Sequence, residues 1–136
     1  MSNNVRKINL IYTTELMHIE GFSKKKVVWL KDKILKEGVW TVPLKVDKYH
    51  NLVMDGQHRM EVAKELGLKV VPCLLYDYKE VEVWSLRDNH EVTPQLIIDK
   101  SISENIYPYK TAKHAFPDGG DMRCSYLLDE LKEENE

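Results

Sequence analysis

Met54-Asp55-Gly56-Gln57-His58-Arg59 sets an acid, a glycine, an amide, an imidazole and a guanidinium side by side. The pattern around them places these residues where a β-hairpin gives way to a helix. A helix N-terminus leaves backbone N–H groups without intrahelical partners and carries partial positive charge, which suits a phosphate. Gly56 removes the side chain where an anion has to approach the backbone. Arg59 adds a rigid, permanently charged fork that grips phosphate oxygens. The junction reads as an anion site with an acid beside it.

Bulk properties bound what such a site can serve. A chain of 136 residues and 16.0 kDa is expected to be one domain, 1–136, with a modest core and a frayed acidic tail at 133–136. The formal net charge of -2 disfavours a protein whose main work is coating nucleic acid, while leaving room for a local basic patch. No apolar run is long enough to cross a membrane, and Met1-Ser2-Asn3-Asn4 lacks a signal peptide's apolar core. Cys73 and Cys124 are the only cysteines and form no CxxC pair, so a reducing cytoplasm is expected.

The elements that must carry the junction follow from periodicity and punctuation. Ile8 to Leu16 reads as a strand running into a loop. Ser23 caps an amphipathic helix over Lys24 to Glu37, with an apolar stripe of Val27, Leu30 and Ile34 widened by Val28 and Leu35, and Gly38 ends it. Lys24-Lys25-Lys26 in its first turn opposes the helix dipole; such a run is usually solvated, or else a rim that attracts an anion. Pro43 to Val46 and Leu52 to Met54 form the hairpin. The second helix starts near Gln57, buries Val62, Ala63 and Leu66, and stops at Gly67. Val70 to Tyr76 is a nearly continuous apolar run, expected as a central strand buried on both faces. Val81 to Leu86 alternates like a strand, and Thr93-Pro94 opens a helix over Gln95 to Ser101. Tyr107 to Gly120 is expected to be irregular, and Arg123 to Lys132 to be a last helix. The sum is an α/β (α+β) domain around a small mixed sheet.

Residues Glu20 to Tyr76 resemble the nucleotide-binding domain of the ParB/sulfiredoxin superfamily. The likeness is carried by a helix ending in EGVWTVPLKV, a hairpin leading to VMDGQHR, and AKELGLKVVPCLL. Within that superfamily the loop is most similar to the free L-serine kinase branch, which typically reads Asp-Gly-His-His-Arg and places a glutamate ahead of the first helix, where Glu20 stands in HIEGF. Sulfiredoxins need a loop cysteine, and Gln57 occupies that neighbourhood here. Partition ParB proteins use a Gly-Glu-Arg-Arg type of loop and add a helix-turn-helix domain; this chain has Asp-Gly-Gln-His-Arg. The stretch Tyr107 to His114 looks similar to a second phosphate-contacting segment of the kinases, which implicates Lys110, Thr111, Lys113 and His114.

Phosphoryl transfer asks mostly for positioning and charge neutralisation. The backbone of Gly56, Gln57 and His58 with Arg59 could hold the phosphates, His58 could donate to the transferring group, and Asp55 could help bind Mg²⁺. The resemblance implies Glu20 as general base. Asp55-Gly56 alone is commonly a turn and cap; His58, Arg59 and the hairpin turn the reading toward phosphate. Glu20 alone is an ordinary solvated acid, and Lys110, Lys113 and His114 can equally be a solvated basic loop. His18, His50 and His90 lack metal-ligand spacing and are expected to be structural or exposed. Trp29, Trp40 and Trp84 are expected in packing, with Trp84 the one plausible pocket wall, and Cys73 is expected as an inert core thiol. The expected activity is transfer of phosphate from ATP or ADP to a small hydroxylated metabolite, free serine first. The alternative is a non-catalytic ParB-like nucleotide-binding module associated with DNA, which the net charge disfavours.

Overall fold

The computed structural model describes residues 6–132, so the acidic tail lies outside the described residues. A four-stranded mixed sheet forms the centre, built from β1 (Ile8–Tyr12), β3 (Leu44–Asp47), β4 (Val53–Asp55) and β5 (Val70–Tyr76), in the order β1-β5-β3-β4. The long apolar strand β5 runs antiparallel to β1 and parallel to β3, and its residues alternate between two hydrophobic clusters. Val71 and Cys73 pack into one with α1 (Lys24–Glu37) and α2 (Gln57–Glu65), while Leu74 and Tyr76 pack into the other with α3 (Pro94–Ile102). Both faces of β5 are therefore covered, as its continuous hydrophobicity requires.

Local chemistry sets the ends of the helices. Ser23 accepts a hydrogen bond from Lys26 N at 3.2 Å, and Gly38 closes α1 in the left-handed region at φ 73°. Thr93 caps α3 through Leu96 N at 3.1 Å, with Pro94 at its first position. Val27, Leu30 and Ile34 bury the inner face of α1, each contributing roughly 1.5–3 kcal/mol. Val28 and Leu35, expected to widen that stripe, are instead exposed, because they lie on a flank that no other described element covers. On α2, Leu66 is only partly buried; Met60 and Gln57 take the interior positions.

The first strand ends at Tyr12 and runs into a 3-10 turn at Thr13–Glu15, in keeping with a strand entering a loop. Two further expectations are corrected by long-range pairing. The stretch expected to be irregular contains β7 (Ala112–Ala115), which pairs antiparallel with β6 (Glu82–Ser85). The expected last helix is divided. β8 (Tyr126–Leu127) pairs with β2 (Val39–Trp40), and only Leu128–Lys132 is helical, as α4. Cys73 is buried as expected, and burial pushes its thiol up to about 12.

The hairpin β3–β4 delivers the chain to α2 through Gly56, whose φ of 120° disfavours any side chain. A Cβ there would meet Leu44 Cδ2 at 2.6 Å, so the loop lies flat on the sheet. Gly56→Ala should cost about 2–4 kcal/mol in urea unfolding, combining backbone strain with overpacking. Gly67→Ala, at φ 70° with open space around it, should cost only about 1–2 kcal/mol. Equal losses in the two variants would contradict the packing of Gly56 on Leu44.

Candidate active site

A cavity of about 590 Å³ opens over the start of α2, within the usual range for small-ligand sites. The start of α2 supplies its floor: Gly56 is the N-cap residue and, among the described residues, no side chain caps the helix. Four cations line the cavity (Lys26, Arg59, Lys110 and Lys113) against two acids, Glu20 and Asp55. A chain of net charge -2 thus concentrates positive charge at one concavity, which favours a compact anion over an extended polyanion.

Arg59 is half-buried, and burial first, then Arg123, lowers its pKa against the opposing pull of Asp55 and Glu37. No hydrogen bond or ion pair to another described residue occupies its guanidinium. A desolvated cation without a partner is costly, and an incoming phosphate relieves that cost. Asp55 is 63% exposed and its nearest cation is Lys45 Nζ at 3.5 Å. That lysine is itself buried, resting 5.5 Å from the Phe116 ring centroid.

Glu20 sits across the cavity, held by the segment expected to touch phosphate. Its Oε1 accepts from Thr111 N at 3.2 Å and Ala112 N at 2.9 Å, and the Lys110 amide also turns toward it. Lys110 adopts φ 59°, which lets successive amides converge on one carboxylate. Burial raises the Glu20 pKa, these amides oppose it, and the Asp55 charge raises it further. The net direction is up, toward a stronger base.

His58 packs edge-on to Phe22 and Tyr109, and its Nε2 accepts from Ser23 N at 3.0 Å. The accepting nitrogen bears no proton, so the neutral ring carries it on Nδ1. Burial, with Lys26, His18 and Arg59 nearby, lowers its pKa and favours that neutral form. His58 is a donor here rather than a fixed cation.

The structure brings Glu20, Asp55, Gly56, Gln57, His58, Arg59, Lys110, Lys113 and His114 to the cavity wall. Thr111 is not brought there. Its side chain is fully buried, its hydroxyl donates to Pro108 O at 2.6 Å, and its amide serves Glu20. The Gln57 side chain turns inward, donating to Val53 O at 2.5 Å and meeting His18 at 2.6 Å. Trp84, expected as a wall, lies outside the lining; Trp29, expected in packing, is 63% exposed and lines the cavity with Leu30 and Leu86. The signal for Trp29 was its place two residues beyond Val27, off the buried stripe of α1. Lys26, alone of the three-lysine run, reaches the lining.

His114 is the one cavity histidine that is nearly buried. Its Nε2 is hydrogen-bonded to the Tyr78 hydroxyl at 3.0 Å, and burial drives its pKa down to about 4 from an ordinary 6.5. Above 6.5 both folded and unfolded chains leave it neutral, and its contribution to stability is fully present. As pH falls, the unfolded chain takes the proton first, so stability should decline toward pH 4 by on the order of 3 kcal/mol. Urea melts of His114→Gln should show a flatter acid limb than the parent; an unchanged limb would contradict a buried neutral His114.

No family model matches the chain. Over 80 residues it is 39% identical to an ATP-dependent L-serine kinase of Staphylothermus marinus and 34% identical to one of Desulfurococcus mucosus. Each match spans 54% of this chain and 31% of the relative, so the chain covers about a third of those kinases. Among solved structures, a free serine kinase in complex with AMP superposes with a TM-score of 0.81 at 13% identity, covering 91% of this chain and 93% of that one. A variant of free serine kinase in complex with ADP gives 0.82 at 13% identity, over 96% and 95%. SbnI with a C-terminal truncation, from Staphylococcus aureus, gives 0.81 at 12% identity, over 95% and 90%. The chain therefore has the α/β fold of the free serine kinase structures, and about half of its sequence is similar to two ATP-dependent L-serine kinases.

Proposed function

We propose that this protein is a phosphotransferase that moves a phosphate from ATP or ADP to the hydroxyl of a small molecule, with free serine the favoured acceptor. The observation that carries the reading is Arg59, a half-buried guanidinium with no acceptor among the described residues, beside the start of α2 and sharing the cavity with a glutamate whose pKa is raised. Two ATP-dependent L-serine kinases similar in sequence, and two free serine kinase structures with AMP or ADP, support the choice of donor and acceptor.

In this mechanism the amides of Gly56, Gln57 and His58, together with Arg59, take the phosphates. Lys26, Lys110 and Lys113 add positive potential at the rim. Glu20 removes the proton of the acceptor hydroxyl as its oxygen forms the new bond to phosphorus. The bond from that phosphorus to the nucleotide's bridging oxygen breaks, and the shorter nucleotide leaves with the electron pair. His58 donates its Nδ1–H toward the charge that develops.

Among the described residues no cluster of three or more His, Cys, Asp or Glu side chains could hold a metal alone. An exposed Asp55 carboxylate does fit Mg²⁺, which commonly rests on one or two carboxylates, waters and the nucleotide's own phosphates. When bound, the ion would neutralise phosphate charge. No helix among the described residues is long and apolar enough to cross a membrane, and both cysteines are free; we place the reaction in the cytoplasm.

Calorimetry and turnover assays separate the assigned roles. Glu20→Gln should bind ADP within about threefold of the parent while transfer falls by roughly 10²-fold or more. Arg59→Ala should weaken nucleotide binding itself, by about 10-fold or more, corresponding to the loss of a charge-assisted hydrogen bond. Undiminished turnover in Glu20→Gln would remove the general-base assignment.

A further inference from the structure

Gln57 is the first residue of α2, is only 6% exposed, and stands between Gly56 and His58 in the cavity wall. We propose that His18 is a positioning residue for this loop, held as a doubly protonated imidazolium that locks Gln57 to α2. The inference rests on the phosphate-site reading above for its consequence, though not for its geometry.

The hydrogen-bond directions follow from one fixed point. Gln57 Nε2 donates to the Val53 carbonyl at 2.5 Å, so the amide's nitrogen end faces the strand. Its oxygen end, Oε1, then faces His18 Nδ1 at 2.6 Å. An amide oxygen only accepts, so Nδ1 must carry a proton. The other ring nitrogen, Nε2, lies 2.6 Å from Glu61 Oε2. Burial pushes the Glu61 carboxyl up, but the His18 bond and Lys64 bring it below the usual range, so it is an ionised acceptor. Nε2 must carry a proton as well. With two acceptors and no donor in its plane, the ring is charged.

The surroundings suit that charge. Phe22 stacks on the ring with centroids 5.0 Å apart. Of the charged and titratable groups that face it, Glu61 and, beyond it, Lys64 at 3.3 Å from the same carboxylate oxygen lie on α2. His58, also on α2, has its pKa lowered in part by His18, which helps keep His58 a neutral donor. The hairpin behind Gln57 contributes the Val53 carbonyl. One imidazolium thus ties the segment carrying Glu20 to α2 and fixes the rotamer of the residue between Gly56 and His58. Loss of one proton would set a lone pair against an oxygen at 2.6 Å, and either Gln57 or Glu61 would have to turn away.

Nitrogen-15 imidazole spectroscopy of the full chain at neutral pH tests the geometry directly. The expected result is a protonated signature at both His18 nitrogens; a neutral tautomer overturns the proposal. ADP affinity across about pH 6 to 9 tests the consequence. His18→Phe, which keeps the stacking on Phe22, should bind ADP about fivefold or more weakly than the parent at the acid end and should lose the parent's decline toward the alkaline end. Glu61→Gln offers a donor to Nε2, so the ring can be neutral and still hold Gln57; this variant should keep the parent's acid-end affinity with a flattened pH response. It also decides the matter if His18→Phe does not fold. Parent-like affinity and pH profiles in both variants overturn the proposal. Absence of any ADP binding by the parent would overturn the phosphotransferase reading instead, leaving the spectroscopic result to judge His18.

Discussion

The flat passage of the chain at Gly56 is the constraint on which the site depends. With φ at 120° and Leu44 directly below, this residue lets β4 turn into α2 without a side chain over the helix start. A capping side chain at that position would satisfy the first amides and close the anion site. Leaving them open costs stability unless another partner arrives. The same choice recurs at Arg59, which is half-buried without an acceptor among the described residues. Both costs would fall away on binding a phosphate, the ligand proposed for this cavity.

The rest of the architecture brings an acid to those donors without letting it occupy them. Glu20 lies on a segment that pairs with Tyr107, and the turn after Tyr107 folds its amides onto the carboxylate. The basic stretch 107–114 therefore has two roles: its backbone holds the acid, and Lys110 and Lys113 face the cavity. Without those amides the Glu20 carboxylate would be free to reach toward the four cations around it. With them, the carboxylate is held in place on its own wall of the cavity. The negative net charge of the whole chain is compatible with this, because the field that a small ligand meets is set by groups within about a Debye length, 8–10 Å.

Much of the fold was legible because its signals are local. Ser23, Gly38, Thr93 and Pro94 mark helix ends through their own backbone chemistry, and the apolar run 70–76 announces a strand buried on both faces. What escaped depends on partners distant in sequence. β7 is a strand because β6 accepts it, although Pro108, Gly119 and Gly120 give its surroundings the composition of a loop. Tyr126 and Leu127 leave the helical pattern because β2 pairs with them. At the site, the loop from Asp55 to Arg59 and the distant Glu20 were both legible from the sequence motif. The inward turn of Gln57 was not, since it requires His18, 39 positions away. Trp29 escaped because a tryptophan on a helix is ordinarily read as packing, whereas here the wall of a cavity is its neighbour.

In the proposed reaction this cavity passes a phosphate from a nucleotide to a small hydroxyl compound. The most direct measurement incubates the protein with Mg²⁺, ATP or ADP, and a panel of hydroxylated metabolites that includes free serine, and reads the products by mass spectrometry. The expected result is a new singly phosphorylated metabolite, with serine the preferred acceptor, formed in step with the shortened nucleotide. Clear nucleotide binding with no phosphorylated product anywhere in the panel would contradict it.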